Sequence, residues 1–149
     1  MKSLKLLLRF GTKAFEATVT NGGSEGVRLW GKNFFHGYYM FSFWIRKPNE
    51  TVPTLRISRK LIGWTVNIPD YFELNPGQSH HIELDLHDGT WDLAELAERD
   101  NDSPIYASVE MRIDENEFTR EYEIATGGVV SNELLFETYS ALLSTTDEI

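Results

Sequence analysis

Cysteine is absent from this 149-residue sequence. Its absence excludes a disulfide framework, a thiolate nucleophile and a zinc site with cysteine ligands, and it is typical of a reducing compartment. A domain of this length buries about 70% of the surface that its unfolded chain exposes, so a core forms without cross-links. We therefore expect a single domain over residues 1–139, a frayed tail over residues 140–149, and a cytoplasmic location.

Long apolar runs are also absent. No stretch approaches the ~20 residues that a helix needs to cross a bilayer. The most apolar segment lies near the N-terminus, where Lys5 and Arg9 interrupt a run of leucines and no small-residue cleavage site follows. We interpret this segment as a strand rather than a signal peptide, and we expect no membrane partner.

Basic residues are few. The chain has 14 Lys and Arg against 23 Asp and Glu, which gives a formal net charge of -9. Such a field repels nucleic acid and anionic lipid surfaces, so neither is an expected partner. The charge serves solubility in any case. If it also serves recognition, it favours a protein partner with a basic rim.

Motifs in a catalytic context are missing. Gly22-Gly23-Ser24-Glu25-Gly26 has the Gly-x-Ser-x-Gly spacing of an α/β-hydrolase nucleophile, but we interpret it as a turn that precedes a strand rather than a helix. No phosphate-binding loop that ends in Gly-Lys-Ser/Thr is present. The only imidazoles belong to His36, His80, His81 and His87. We therefore expect no enzymatic activity and no cofactor.

Two groups of residues have the chemistry of metal ligands. On a strand, His81, Glu83, Asp85 and His87 share one face, but the two outer histidines lie ~20 Å apart and cannot hold one ion. We interpret this stripe as a solvated polar face. The acidic segment over residues 85–102 lacks the loop signature of an EF-hand, so no metal is expected there, although calcium remains an alternative.

Alternation of apolar and polar residues dominates the chain and predicts an all-β fold. The clearest example is the segment 105–113, in which Ile105, Ala107 and Val109 alternate with polar side chains. One segment departs from this pattern: Asp92 with Glu95 has the spacing of a capping box and predicts a short helix over residues 92–99. The expected strands cover residues 4–10, 15–19, 27–30, 38–46, 55–58, 62–68, 80–86, 105–113, 118–124, 129–130 and 134–136. About eight or nine of them are expected to form a two-sheet sandwich.

Turn and strand signals in the second half carry a resemblance to a known group. They are Asn75-Pro76-Gly77-Gln78, the alternating strand from Ile82, Trp91-Asp92-Leu93, and Gly128-Val129-Val130-Ser131-Asn132. Over residues 65–139 the chain resembles the immunoglobulin-like domains of bacterial intracellular proteinase inhibitors and of deuterolysin-type metallopeptidases. The resemblance implies an immunoglobulin-like β-sandwich. It also implies an inhibitor or a toxin-neutralising, immunity-like protein.

Aromatic residues crowd residues 30–44. Central-strand burial explains such a run, whereas an exposed aromatic patch marks a contact site; the pattern leaves both interpretations open. Because residues 33–37 are interpreted as a loop, we expect a protein partner to contact Trp30, Phe34, Phe35, His36, Tyr38 and Tyr39. The alternatives are a carbohydrate-binding module that uses Trp30, Trp44, Trp64 or Trp91, and a structural subunit of a larger assembly. The oligomeric state is left open.

Overall fold

The computed structural model describes residues 1–11, 14–61, 68–97 and 103–144. Within these ranges the chain is mostly β, with ten strands and four short helices, so the expected all-β class is confirmed. The strands are β1 Leu4–Phe10, β2 Phe15–Asn21, β3 Val27–Trp30, β4 Phe41–Arg46, β5 Leu55–Ile57, β6 Tyr71–Leu74, β7 Ser79–Leu84, β8 Ile105–Ile113, β9 Gly127–Val130 and β10 Leu134–Phe136. The helices are α1 Phe35–Tyr38, α2 Ala94–Ala97, α3 Glu117–Tyr122 and α4 Tyr139–Ser144.

The described strands form three antiparallel sheets. The first has the order β1-β2-β7, and the second has the order β5-β4-β8, with β9 and β10 both along the other edge of β8. The third pairs β3 with β6. Three sheets appear where two were expected, because a corner divides one long pair of strands.

The corner lies between residues 22–26 and residues 75–78. On one side of it Thr20 pairs with Ser79, and on the other side Val27 pairs with Leu74. Because residues 22–26 on one side and residues 75–78 on the other differ in number, the β2–β7 pairing does not continue directly into the β3–β6 pairing. In the turn, Gly77 has φ 80°, the value that the third position of a type II turn requires and that the Pro-Gly pair predicts.

The core lies between the inner faces of the sheets. Every second residue of β8 is buried, as its alternation predicts. The ring of Phe15 in β2 contacts the rings of Phe43 in β4 and Phe136 in β10, with centroids 5.3 and 5.9 Å apart. The first two sheets therefore pack face to face.

The edges of these two sheets are joined by one side chain. The Asn132 amide accepts a hydrogen bond from the Leu8 backbone N–H at 2.7 Å and donates to the Leu8 carbonyl at 3.0 Å. The Asn132 side chain, in the loop that joins β9 to β10, thus makes with Leu8 of β1 the two hydrogen bonds that a neighbouring strand would make.

Residues 118–124 were expected to form a strand, and this prediction is wrong. Asn116 accepts hydrogen bonds from the backbone N–H groups of Phe118 and Thr119, and the Thr119 hydroxyl accepts one from the Asn116 N–H. This reciprocal capping box starts α3. Phe118 and Tyr122 then lie one turn apart on the helix, so their spacing fits either structure.

The boundary between loop and strand near residue 38 was also wrong. Residues 35–38 form α1, and β4 begins only at Phe41. Gly37 explains the difference, because a Cβ there would overlap the Gly31 carbonyl oxygen. The absent side chain lets α1 lie directly against the end of β3.

Three further expectations concern residues outside the sheets. A helix does begin after Asp92, whose carboxylate accepts from the Ala94 N–H at 3.2 Å, although residues 98–102 lie outside the described ranges. The expected strand over residues 62–68 also falls almost wholly outside them. Residues 140–144, at the start of the expected tail, lie in α4, which places Leu142 in the core. No helix within the described ranges is long and apolar enough to cross a membrane.

Candidate functional site

A cleft with a volume of about 560 Å³ opens where the three sheets meet. Its lining comes from β3, α1, β4, β6 and β7 and from the segments that follow β5 and β7. We call it the inter-sheet cleft. Polar side chains converge on it: Lys32, Arg59, Asp70, His80, His81, Glu83 and Asp88. The volume lies within the range of about 300–1,000 Å³ that ligand-binding sites have.

One wall of the inter-sheet cleft is an edge of a strand. His80, His81, Ile82 and Glu83 all line it. Because successive side chains of a strand point to opposite faces, four consecutive lining residues place the cleft along the edge of β7 rather than over one face. Within the described ranges β7 pairs only with β2, so among these residues its other edge has no partner strand.

Arg59 also lines the cleft, and its guanidinium lies against two aromatic rings. Its guanidinium carbon is 4.1 Å from the centroid of the Trp91 ring and 5.0 Å from that of Tyr38. The side chain is only 14% exposed. Nη1 donates to Asp88 at 3.4 Å and also to the Thr90 hydroxyl. Burial lowers the pKa of Arg59 from its ordinary value, against the opposing effect of Asp88.

Backbone pairing fixes this arginine in place. Arg59 forms a β-bridge with Trp91. On either side of the bridge, the Lys60 N–H donates to the Thr90 carbonyl at 2.7 Å, and the Asp92 N–H donates to the Ser58 carbonyl at 2.8 Å. The guanidinium is therefore positioned by main-chain hydrogen bonds as well as by its ring contacts.

The floor of the inter-sheet cleft is part of an aromatic cluster. Trp30 is 0% exposed, and its ring lies 4.7 Å from Phe34, 6.0 Å from His36 and 6.1 Å from Tyr122. Phe34 also contacts Phe118 of α3 at 6.1 Å. This cluster packs α1 and α3 against β3.

The cluster corrects part of the predicted contact surface. Trp30 and Phe34 are buried in the core and present no ring to a partner. Phe35, His36, Tyr38 and Tyr39 are half-buried. Tyr38 lines the inter-sheet cleft, whereas His36 and Tyr39 line a second recess of about 110 Å³. The aromatic run is thus mainly core, and the two recesses expose only parts of it.

Sequence analysis did not identify Arg59 or Asp70 as site residues, and it considered Asp88 only within the acidic segment of residues 85–102. Arg59 and Asp70 lie in segments without a recognisable motif, and the bridge between residues 59 and 91 fixes Arg59 only in the folded chain. His80 had been noted only as an imidazole. In the structure its ring lies 4.2 Å from the ring of Phe72 on the neighbouring sheet.

The candidate metal ligands make other contacts. His81 Nδ1 is 2.8 Å from the Thr18 hydroxyl, and Glu16 lies 3.5 Å away across the strand pair. The carboxylates of Asp85 and Asp88 accept backbone N–H groups two residues further along the chain, each at 2.9 Å. Within the described ranges no group of three or more possible ligands could hold a metal ion.

Of the tryptophans considered for sugar stacking, Trp30 and Trp91 are buried. Trp44 is half-buried, with its indole N–H 3.3 Å from Glu110. Trp64 lies outside the described ranges. Neither buried ring has a free face for a sugar.

Two histidines predict how stability depends on pH. Burial lowers the pKa of both His36 and His80 below the ordinary 6.5. The unfolded chain therefore binds these protons more tightly than the folded chain. We expect their contribution to stability to be complete above about pH 6.5 and to decrease as the pH falls through the folded pKa values.

The measurement is chemical denaturation of the wild type and of His80→Gln and His36→Gln at a series of pH values. Each substitution should reduce the loss of stability between neutral pH and about pH 5, where only histidines change charge. A variant whose pH profile runs parallel to that of the wild type would contradict the assignment for that residue.

Comparison with protein-family models, with curated proteins and with solved structures finds no match to this chain. Its function is therefore inferred from the inter-sheet cleft.

Proposed function

We propose that this chain is a non-enzymatic binding domain that engages a segment of another protein in the inter-sheet cleft. The observation that supports the proposal most directly is the edge of β7 along one wall of the cleft. An exposed strand edge offers unpaired backbone N–H and C=O groups, which an extended segment of a partner satisfies by adding a strand.

The rest of the cleft suits the same ligand. Extended segments alternate their side chains, so a groove that binds them needs pockets beside the edge as well as backbone groups. Tyr38 and Tyr71 supply ring surface near the cleft, and Lys32 and Glu83 supply charges of both signs. Aromatic anchors with polar surroundings are characteristic of protein interfaces.

Electrostatics favour a partner that is basic around its contact segment. The net charge of -9 accelerates the approach of a positively charged protein at low salt. The finer interpretation follows the sequence resemblance: an immunoglobulin-like sandwich that acts in the cytoplasm as an inhibitor or an immunity-like protein. The three antiparallel sheets and the lack of cysteine are compatible with that interpretation.

Site-specific blocking tests the proposal. Because the chain has no cysteine, a single introduced cysteine takes a maleimide label at one position only. Lys32→Cys places a bulky label at the cleft, and Asn49→Cys places the same label at an exposed position that does not line it. The unlabelled protein and both labelled variants are used as baits in a lysate of the organism that encodes the chain, with quantitative mass spectrometry.

We expect at least one protein to be retained by the unlabelled bait and by the bait labelled at position 49, but lost with the label at position 32. Matching circular dichroism spectra would show that the labels leave the fold intact. If every retained protein binds equally well to the bait with the blocked cleft, the cleft is not the binding site.

A further inference from the structure

Four of the described arginines use the same edge of the guanidinium group for their hydrogen bonds. Nε and Nη2 form one edge of the group, and this edge fits the two oxygens of a carboxylate. Arg46 uses it on Glu133, with Nε 2.8 Å from one oxygen and Nη2 2.9 Å from the other. Through this contact Arg46 lowers the pKa of Glu133.

Three more arginines use the same edge. Arg9 contacts Glu16 with it, and Arg112 contacts Glu110. Arg56 directs both nitrogens at the Ser42 hydroxyl, at 3.1 and 2.9 Å. In each case Nε and Nη2 share one oxygen-bearing group.

Arg59 differs from these four. Its hydrogen bonds to Asp88 and Thr90 both come from Nη1. Its Nε is buried and has no hydrogen-bond partner, and among the described residues none accepts from Nη2. Buried hydrogen-bond donors almost always have an acceptor, so an arrangement of this kind calls for an explanation.

We propose that the Nε and Nη2 edge of Arg59 is the receptor for a carboxylate of the ligand that enters the inter-sheet cleft. This inference rests on the proposed function and specifies the chemistry of the partner segment: a chain-terminal carboxylate or an Asp or Glu side chain. Arg59 lines the cleft, and among the described residues none accepts from the donor pair that Arg46 uses on Glu133. Because Nε is closed to solvent in this structure, the carboxylate reaches it only when a neighbouring side chain moves.

The surroundings of Arg59 strengthen such a contact. The rings of Trp91 and Tyr38 hold the guanidinium, so little side-chain freedom is lost on binding. Burial removes water that would otherwise weaken the ion pair. Asp88 contacts Nη1, at the far side from the unused edge, and partly offsets the charge. A local carboxylate contact is therefore compatible with a basic remainder of the partner.

The unused edge also explains why arginine rather than lysine occupies this position. A lysine ammonium has no planar pair of donors and fits neither the bidentate geometry nor the space between two rings as well. Arg59→Lys is thus a conservative test that keeps the charge and removes the edge. Arg46→Lys is the matched control, because the edge of Arg46 is already occupied by Glu133.

The experiment follows the side-chain Nε–H resonances of arginine in the ¹⁵N-labelled wild-type protein. Three small probes are titrated: N-acetylglycine, which carries a chain-end carboxylate; N-acetyl-aspartate α-amide, which carries a side-chain carboxylate; and neutral N-acetylglycinamide. Inorganic phosphate is a fourth arm. The resonance of Arg59 is assigned by through-bond correlation to its own backbone amide in ¹³C,¹⁵N-labelled wild-type protein, and its loss in Arg59→Lys is a second check.

We expect at least one of the two carboxylates to shift the Arg59 resonance in a saturable manner, with little effect on that of Arg46. The neutral amide should produce no shift. Which acid binds more tightly distinguishes a chain end from an acidic side chain. Backbone amide shifts of cleft residues should follow the same titration curve. The affinity for the carboxylate that these shifts report should fall about tenfold or more in Arg59→Lys but not in Arg46→Lys.

An Arg59 resonance that no carboxylate moves would overturn the inference, as would a response to phosphate alone. These results depend on wild-type protein and stand even if Arg59→Lys fails to fold. They are also separate from the blocking experiment: a partner lost on labelling position 32, combined with no carboxylate response, retains the proposed function and rejects the role of Arg59.

Discussion

Phe34→Ala is expected to lower the free energy of unfolding by about 3–5 kcal/mol. Phe34 is 0% exposed, and its ring contacts Trp30 and Phe118 from two different elements. Removing the ring leaves a cavity that the backbone of α1 cannot fill, because Gly37 already lies against Gly31. Thermal and urea unfolding measure the loss, which corresponds to a fall in Tm of roughly 10 °C.

Phe35→Ala is the matched control for this prediction. The two residues are adjacent and chemically identical, but Phe35 is half-buried and packs on Tyr39, with ring centroids 4.9 Å apart. A clearly smaller loss is expected. Equal losses for both variants, or a Phe34→Ala variant as stable as the wild type, would contradict the aromatic cluster as described.

Asn21→Asp is expected to cost about 3–5 kcal/mol at neutral pH, comparable to removing one partner of a buried ionic pair. Asn21 is 0% exposed, and its Nδ2 donates to the carbonyls of Glu25 and Leu74 at 2.8 and 2.9 Å. An aspartate replaces these two donors by an oxygen that carries charge. Both carbonyls are then left facing an acceptor without water.

The pH dependence identifies the cause of this loss. An ionised carboxylate facing two carbonyls has a raised pKa in the folded state, so the destabilisation develops as the pH rises above the unfolded value of about 3.9. Urea unfolding of Asn21→Asp between pH 4 and pH 7 should therefore show a growing difference from the wild type. Asn49→Asp, at an exposed position, should differ little at any pH. If the difference in unfolding free energy between Asn21→Asp and the wild type does not change with pH, the loss comes from the altered shape of the side chain and not from its charge.

Asn21 also shows why the corner was difficult to predict. Its neighbours Gly22 and Gly23 predict a turn, and a turn is present. At the point where one ladder gives way to two, the Asn21 side chain donates a hydrogen bond to the carbonyl of Leu74, which lies 53 positions along the chain. Such a partner is visible only when the two strands are placed side by side.

Residues 117–122 illustrate a different limit. The spacing of Phe118 and Tyr122 fits both a strand face and a helix face, since residues four apart point to the same side in either. The decisive signal was local, an Asn at position 116 with Thr119 three residues on, and it was missed because the residue expected at that place in a capping box is Glu or Gln. The start of α3 could therefore have been predicted from the sequence.

Period-2 alternation alone determined the all-β class, the inner face of β8 and most strand positions, because side-chain direction on a strand depends only on local geometry. The Pro-Gly pair determined the turn before β7 for the same reason. Only the tertiary structure decided that Trp30 and Phe34 are core, that a cleft follows the edge of β7, and that Arg59 lies between Trp91 and Tyr38. These features arise from contacts between segments far apart in the chain, and no local pattern encodes the distance between them.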